Sequence, residues 1–330
     1  MDYKKYALVD LHLHLDGSLS PEIIIEVAKE EGINLPTYDA KELRKYLEVP
    51  EDCKSLNEYL ERFDIPNRVL QSKNGLYKCM LNLLKREADA GLKYVEVRMA
   101  PQLSTQKGLK QNEVVEILLQ ASKDAFDKYK IKSNLILCLM RMQNNMMVNL
   151  KTIEVAAKYL NKGVVALDLA GAEALFPNEN FEALFELARN MRIPFTIHAG
   201  EASGAESVRS AINMGASRIG HGIHSIDDES VMKSLVEKKI PLEICPKSNL
   251  DTKTIKSFEE LPIREFLKRG IIVTLNTDDM TVSSTNLVNE YNILSSIGYS
   301  DEELKTLSEN TIKSAFISDK EKEELLSYLN

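Results

Sequence analysis

Eight short apolar runs separated by helical stretches constrain this chain more than any other feature. They are Tyr6–Asp10 leading into His12 and His14, then Lys93–Pro101, Asn134–Met140, Gly163–Gly171, Pro194–Gly200, Arg218–Gly222, Pro241–Pro246 and Gly270–Asp278. Most are continuously apolar rather than alternating, the pattern of parallel strands buried under helices. Between them, segments such as Asn112–Tyr129 and Leu150–Leu160 carry helical periodicity. Eight such units in about 300 residues predict an α/β fold, a (β/α)8 TIM barrel, which typically takes roughly 250 residues. A doubly wound open sheet is the runner-up, but no Gly-x-Gly-x-x-Gly follows any early strand.

The surplus length lies after strand 1. Ser20-Pro21-Glu22 supplies an N-cap, a proline at the first helical position and an acid in the first turn, with Gly32 as the stop. A helical insertion over about residues 35–90 follows, where Leu56, Tyr59, Leu60 and Phe63 recur at i, i+3, i+4 and i+7. Asp301–Asn330 reads as extra C-terminal helices packed on the outside. Residues 1–330 are expected to form one domain; no repeat, linker or low-complexity segment interrupts them.

Composition narrows the partners. A net charge of −8, without a basic run, argues against nucleic acid and anionic membrane. No segment reaches the roughly 20 apolar residues of a membrane span. Asp10, His12 and His14 interrupt the N-terminal apolar run, so a secretory signal is not expected. Cys53, Cys79, Cys138 and Cys245 are scattered, which suits reduced thiols in a cytoplasm rather than disulfides or a cysteine zinc site.

The chain has only five histidines: His12, His14, His198, His221 and His224. Four of them fall at the C-terminal ends of predicted strands 1, 5 and 6, the end at which barrels build their active sites. His12 and His14 sit two apart on a strand and so share a face. They can supply two nitrogen ligands to one zinc-like ion, His198 a third, and Asp278 an anionic oxygen, leaving a position for water. Such an ion lowers the pKa of water from 15.7 toward about 7. Glu201, three residues past His198, is placed as a general acid/base. His221, flanked by Gly220 and Gly222, reads as the group that orients the water and accepts its proton. His224 lies beyond the strand end and reads as a surface or outer residue. The end of strand 4, Leu167–Gly171, has no lysine, which disfavours a two-metal site bridged by a carboxylated lysine.

Taken together, DLHLHLDGSL, SLNEYLERF, VLQ, YVEVRMAPQL, LDLAG, TIHAGE, SRIGHGI, CPKSNL and NTDD, in that order across most of the chain, resemble the adenosine deaminase family of metal-dependent hydrolases. The resemblance implies one zinc ion on His12, His14, His198 and Asp278. It implies catalysis by Glu201, protonating purine N1, and by His221, handling the hydroxide. Substrate contacts would come from Asp279 at N7, the Gly171 N–H at N3, and Asp16 with His14 near the ribose 5′-hydroxyl. Since N7 is an acceptor, the Asp279 carboxyl would need its proton, plausible beside anionic Asp278. The helix bearing Leu56, Tyr59, Leu60 and Phe63 would be an apolar lid. The implied reaction is hydrolytic deamination of adenosine and 2′-deoxyadenosine to inosine and 2′-deoxyinosine with release of ammonia, in purine salvage. A small-molecule purine nucleoside is the expected partner, and a monomer the expected state.

Three positions depart from the family pattern: Ala172 stands where an acid is usual, Met280 where proline is common, and Met99 where phenylalanine is frequent. The alternatives are deamination of adenine or a modified adenosine, a non-catalytic binding protein on the same scaffold, and a phosphotriesterase-like or amide-cleaving hydrolase. A binder has no need of all four ligands with Glu201 and His221, and the missing strand-4 lysine weakens the last. The His-x-Glu and Pro-Cys-x-x-Cys signature of the other zinc deaminases is absent.

Overall fold

Every predicted run forms a strand in the computed structural model, which describes residues 2–6 and 8–329. These are β1 (Val9–His14), β2 (Tyr94–Met99), β3 (Lys132–Arg141), β4 (Val164–Gly171), β5 (Thr196–Ala199), β6 (Arg218–His221), β7 (Leu242–Ile244) and β8 (Val273–Leu275). Ala7, inside the first expected run, lies outside the described residues. Two parallel ladders form, β1-β2-β3-β4 and β5-β6-β7-β8. Single bridges, Leu167 to Phe195 and Leu13 to Asp278, join them into a closed ring. With helices between the strands, this is a (β/α)8 barrel. Strands β2, β4, β5, β6, β7 and β8 are buried almost end to end, as their continuous apolar runs require.

Closure of the ring uses polar groups as well as a ladder. Register slips by one residue between Asp10 and Leu13 of β1. There Asp10 accepts from its own His12 N–H at 3.0 Å and from the Thr277 N–H at 3.2 Å. A carboxylate thus replaces the ladder partner that the bulge removes. Beyond the short β8, His14 N–H donates to the Asp278 carbonyl at 2.9 Å, and Asp278 N–H to the His12 carbonyl at 2.7 Å. The bonds that close the barrel therefore run through three of the expected ligands, His12, His14 and Asp278.

The helix Pro21–Glu31 begins where Ser20 accepts from Ile23 N–H and ends at Gly32 in the left-handed conformation. The long stretch that follows contains helices Ala40–Leu47, Leu56–Leu60, Asp64–Val69 and Lys73–Ala90, with a 3-10 turn over Glu61–Phe63. Of these, Lys73–Ala90 packs beside Gln111–Tyr129 in the outer layer of the barrel.

The C-terminal helices pack on the outside of the barrel against β8 and β1, as expected, and also reach its N-terminal end. Ile312, Ala315 and Leu325 bury themselves against Leu8, Val9, Leu11 and Tyr94, around the starts of β1 and β2. Arg218, at the start of β6, donates to the Ser314 carbonyl at 3.0 Å, and Phe316 N–H to Glu96 on β2 at 2.6 Å. This segment covers the N-terminal mouth and leaves the opposite rim for chemistry. Among the described residues, no helix is long and apolar enough to cross a membrane.

Candidate metal centre and active site

The C-terminal ends of β1 and β5, with the turn after β8, bring four donors to one point. The Nε2 atoms of His12 and His198 lie 3.1 Å apart, and each is 3.3 Å from Nε2 of His14. Oδ1 of Asp278 is 3.3 Å from the His12 nitrogen and 3.5 Å from that of His14. An ion bound at about 2.0–2.2 Å draws its donor atoms close together, and the four donor atoms here all lie within 4.8 Å of one another. The tautomers agree. His12 Nδ1 faces Glu243 Oε2 at 3.0 Å, and His198 Nδ1 faces Asp168 at 3.0–3.1 Å. Each Nδ1 therefore carries the proton it donates to a carboxylate, leaving unprotonated Nε2 lone pairs turned on one another. They cannot hydrogen-bond to each other in that state; a cation satisfies them. The residues fit a metal ion.

Glu243 and Asp168, which sequence reasoning overlooked, belong to a buried polar layer behind these ligands. Arg98 bridges them, bonding Glu243, Asp168 at 3.2 Å and the Leu11 carbonyl at 3.1 Å. Arg218 adds a 2.5 Å bond to the other Glu243 oxygen. Burial alone would raise Glu243, but Arg98 and Arg218 hold it well below the usual carboxylate range. For Asp168, burial is likewise overcome by His198 and Arg98. A signal did exist in the sequence. Arg98, Asp168 and Glu243 are charges set inside otherwise apolar strands, and such residues are rarely buried unless paired.

Both Asp278 (φ 71°) and His221 (φ 61°) adopt the left-handed conformation, unusual for residues with a Cβ. It turns each side chain into the rim at its strand end. His221 Nε2 lies 3.6 Å from Glu201 Oε2 and 3.8 Å from Asp278 Oδ2, while Asn249 holds its Nδ1 at 3.0 Å. Burial keeps the His221 ring neutral. Gly220 is needed for space: a Cβ there would come within 3.2 Å of both the His12 ring and the His198 backbone. Glu201 is pushed up to about 8 by burial, then by the charges of Asp278 and Glu173. His224 stands apart, paired with Asp227 at 2.8 Å in an exposed turn.

Glu173, also overlooked, holds the loop that carries Glu201. Its carboxylate accepts the backbone N–H groups of Gly200, Glu201, Ala202 and Ser203 at 2.7–3.1 Å, and the Ser207 hydroxyl at 2.5 Å. Substituting Glu173→Ala leaves these donors without their acceptor, those of Gly200 and Glu201 in buried positions. It is expected to lower stability by roughly 2–4 kcal/mol and to reduce kcat by disordering Glu201. Urea unfolding checks the first; an unchanged midpoint would mean that other contacts hold the loop.

Asp279 is buried beside Asp278. Burial, then the charges of Asp278 and Asp16, raises it well above the usual carboxylate range. Its position demands Gly17, because a Cβ at residue 17 would fall 1.6 Å from Asp279 Oδ1. Asp16 is raised to about 6, chiefly by burial. Among the departures noted above, Met280 N–H donates to Ser18 Oγ at 3.0 Å, a bond that proline could not make. Ala172 lines the cavity.

One cavity of about 260 Å³ unites these groups. His14, Asp16, His198, Glu201, His221, Asp278 and Asp279 form its polar side. Residues on and just after β2, β3 and β4 contribute an apolar face of Ala100, Leu103, Cys138, Met140 and Ala170, followed by Gly171. Leu56, Tyr59, Leu60 and Phe63 line it from the excursion after β1. A planar heterocycle with a polar edge suits such a cavity. All the residues predicted from sequence for the site line this cavity except His12, which is fully buried and joins them through the donor cluster.

The sequence model of the family described as adenosine deaminase matches residues 7–330. An adenosine deaminase of Haemophilus ducreyi is 48% identical, over 98% of this chain and 96% of its own length. One from Clostridium botulinum is 46% identical, over 100% of this chain and 98% of its own. Among solved structures, an adenine deaminase from Arthrobacter aurescens superposes with a TM-score of 0.89 at 28% identity, covering 98% of this chain and 97% of that one.

Proposed function

This chain belongs to the adenosine deaminase family, and from that premise we propose that it hydrolyses the 6-amino group of adenosine and 2′-deoxyadenosine, releasing ammonia, with one zinc ion. Zinc is favoured by the donor set itself, three imidazoles and one carboxylate gathered within 4.8 Å of one another. His12, His14, His198 and Asp278 would hold it. Bound there, the ion supplies a Lewis acid that makes a water molecule nucleophilic near neutral pH.

The remaining steps belong to the chain's own groups. When the water oxygen adds to C6, an electron pair moves onto N1 and the amino-bearing carbon becomes tetrahedral. Glu201, kept protonated by burial, delivers its proton to N1 and so stabilises the charge developing there. His221, neutral and facing the space between Glu201 and Asp278, orients the water and accepts its proton. Passed on to the amino group, that proton lets ammonia leave; as the carbonyl forms, the C6 hydroxyl gives up its proton to Glu201, which restores the acid. Asp279, itself kept protonated, donates to N7. The Gly171 N–H meets N3, and Asp16 with His14 meets the 5′-hydroxyl. Leu56, Tyr59, Leu60 and Phe63 act as a lid that excludes water. The lid is an insertion in a single domain, and every proposed site residue comes from one chain, so a monomer has a complete site. Four buried free cysteines suit a cytoplasmic enzyme.

The observation that best supports this reading is the meeting, in one cavity, of the four-donor cluster with a raised Glu201 and a raised Asp279. A panel of adenosine, 2′-deoxyadenosine, adenine and N6-methyladenosine tests it by ultraviolet absorbance and ammonia release. The highest kcat/KM is expected for adenosine, in protein holding about one equivalent of zinc. A preference for adenine or the methylated nucleoside would overturn the substrate assignment.

A further inference from the structure

Asp279 is held from two sides, and one of the holders comes from the lid. Tyr59 is 2% exposed, and its hydroxyl donates to Asp279 Oδ2 at 2.9 Å. Ser283 Oγ lies 2.8 Å from the same hydroxyl. Since a phenol has one proton and gives it to the carboxyl, Ser283 donates to Tyr59. The other oxygen, Oδ1, rests against Gly17 and has no hydrogen-bond partner among the described residues. A carboxyl group turns easily about its terminal torsion. Here the Gly17 backbone and the Tyr59 hydroxyl leave it one setting.

Tyr59 sits on Leu56–Leu60, the short helix whose apolar residues line the cavity. Its ring packs with Cys53 and Val282 and faces Phe63 with centroids 6.2 Å apart. The ring alone would serve a lid. The hydroxyl adds a bond from this segment to the group assigned to the purine edge.

We propose that Tyr59 is a positioning residue. Its hydroxyl orients Asp279 for the purine N7 and makes base recognition depend on the lid segment being in place. This rests on the reading of Asp279 as the N7 partner. A lid of leucine and phenylalanine alone would exclude water without affecting which ring is accepted. With Tyr59, the Asp279 setting exists only when the helix is docked, so discrimination at N7 and closure become one event.

The test compares adenosine with 7-deazaadenosine, in which a C–H replaces N7, in the wild type and in Tyr59→Phe. The substitution keeps the ring and its packing and removes only the oxygen. The ratio of kcat/KM for adenosine to that for 7-deazaadenosine is expected to fall roughly tenfold, nearly all of it through adenosine. A purely structural role for Tyr59 would lower both substrates together and leave the ratio unchanged, which would overturn the proposal. Ser283→Ala keeps the Tyr59–Asp279 bond but removes its support, and is expected to move the ratio in the same direction by a smaller factor. A wild type that treats both nucleosides alike would overturn the Asp279–N7 reading and the Tyr59 role with it. A wild type that discriminates, beside a Tyr59→Phe variant that discriminates equally, would overturn the Tyr59 role alone.

Discussion

Replacing Glu201 with Gln is expected to lower kcat at least about 10²-fold while metal and a ground-state purine still bind. A positioned general acid typically contributes about 10²–10⁴-fold, or roughly 3–5 kcal/mol of barrier. Glutamine keeps the size and can still donate a hydrogen bond, but it has no proton to transfer. The loop geometry is preserved too, because Glu173 holds the backbone of residues 200–203 and not the Glu201 side chain. The pH profile gives a second readout. Glu201 is pushed up to about 8, so the protonated, active form dominates below that pH and is lost above it. Activity of the wild type should fall as pH rises through about 8, and that limb should be missing from the residual activity of Glu201→Gln. Near-normal turnover in the variant would assign the proton to another group.

Removing the metal with a chelator is expected to abolish deamination, and about one equivalent of zinc to restore it. Without a cation, three imidazole nitrogens within 3.1–3.3 Å of one another must share a proton or move apart, so the emptied protein should also melt at a lower temperature. Disturbing the layer behind the ligands should act through affinity. Asp168→Asn removes the charge facing His198 Nδ1 and one partner of Arg98. A loss of about 10–100-fold in zinc affinity is expected, read by competition with a coloured chelator. Full activity in demonstrably metal-free protein would overturn the metal assignment. Unchanged affinity in Asp168→Asn would reduce that carboxylate to a structural ion pair.

The barrel and the candidate donor set were legible in the sequence for separate physical reasons. Buried parallel strands must be apolar along their whole length, so eight runs announced eight strands whatever their order in space. Strand ends remained uncertain: β8 contains only Val273–Leu275 of the expected Gly270–Asp278, because its later residues close the ring through Asp278 and Asn276 rather than extend a ladder. The candidate donors could be read because histidines are few and chemically distinct, and four of the five lie at strand ends on one rim.

What the sequence by itself determined, then, was the strand count, the donor set and Glu201, each carried by a short local pattern. The tertiary structure alone decided how those groups are held. His12 meets Glu243 across 231 positions of chain, Arg98 meets Glu243 across 145, and Tyr59 meets Asp279 across 220. Glu173 reaches over the barrel rim to the turn after β5, and Gly17 clears space for Asp279. Likewise, the C-terminal helices cover the N-terminal mouth as well as pack alongside the barrel. None of these pairings leaves a periodicity or a spacing. They arise when the ring closes and brings distant strand ends together, and a buried charge can find its partner only then.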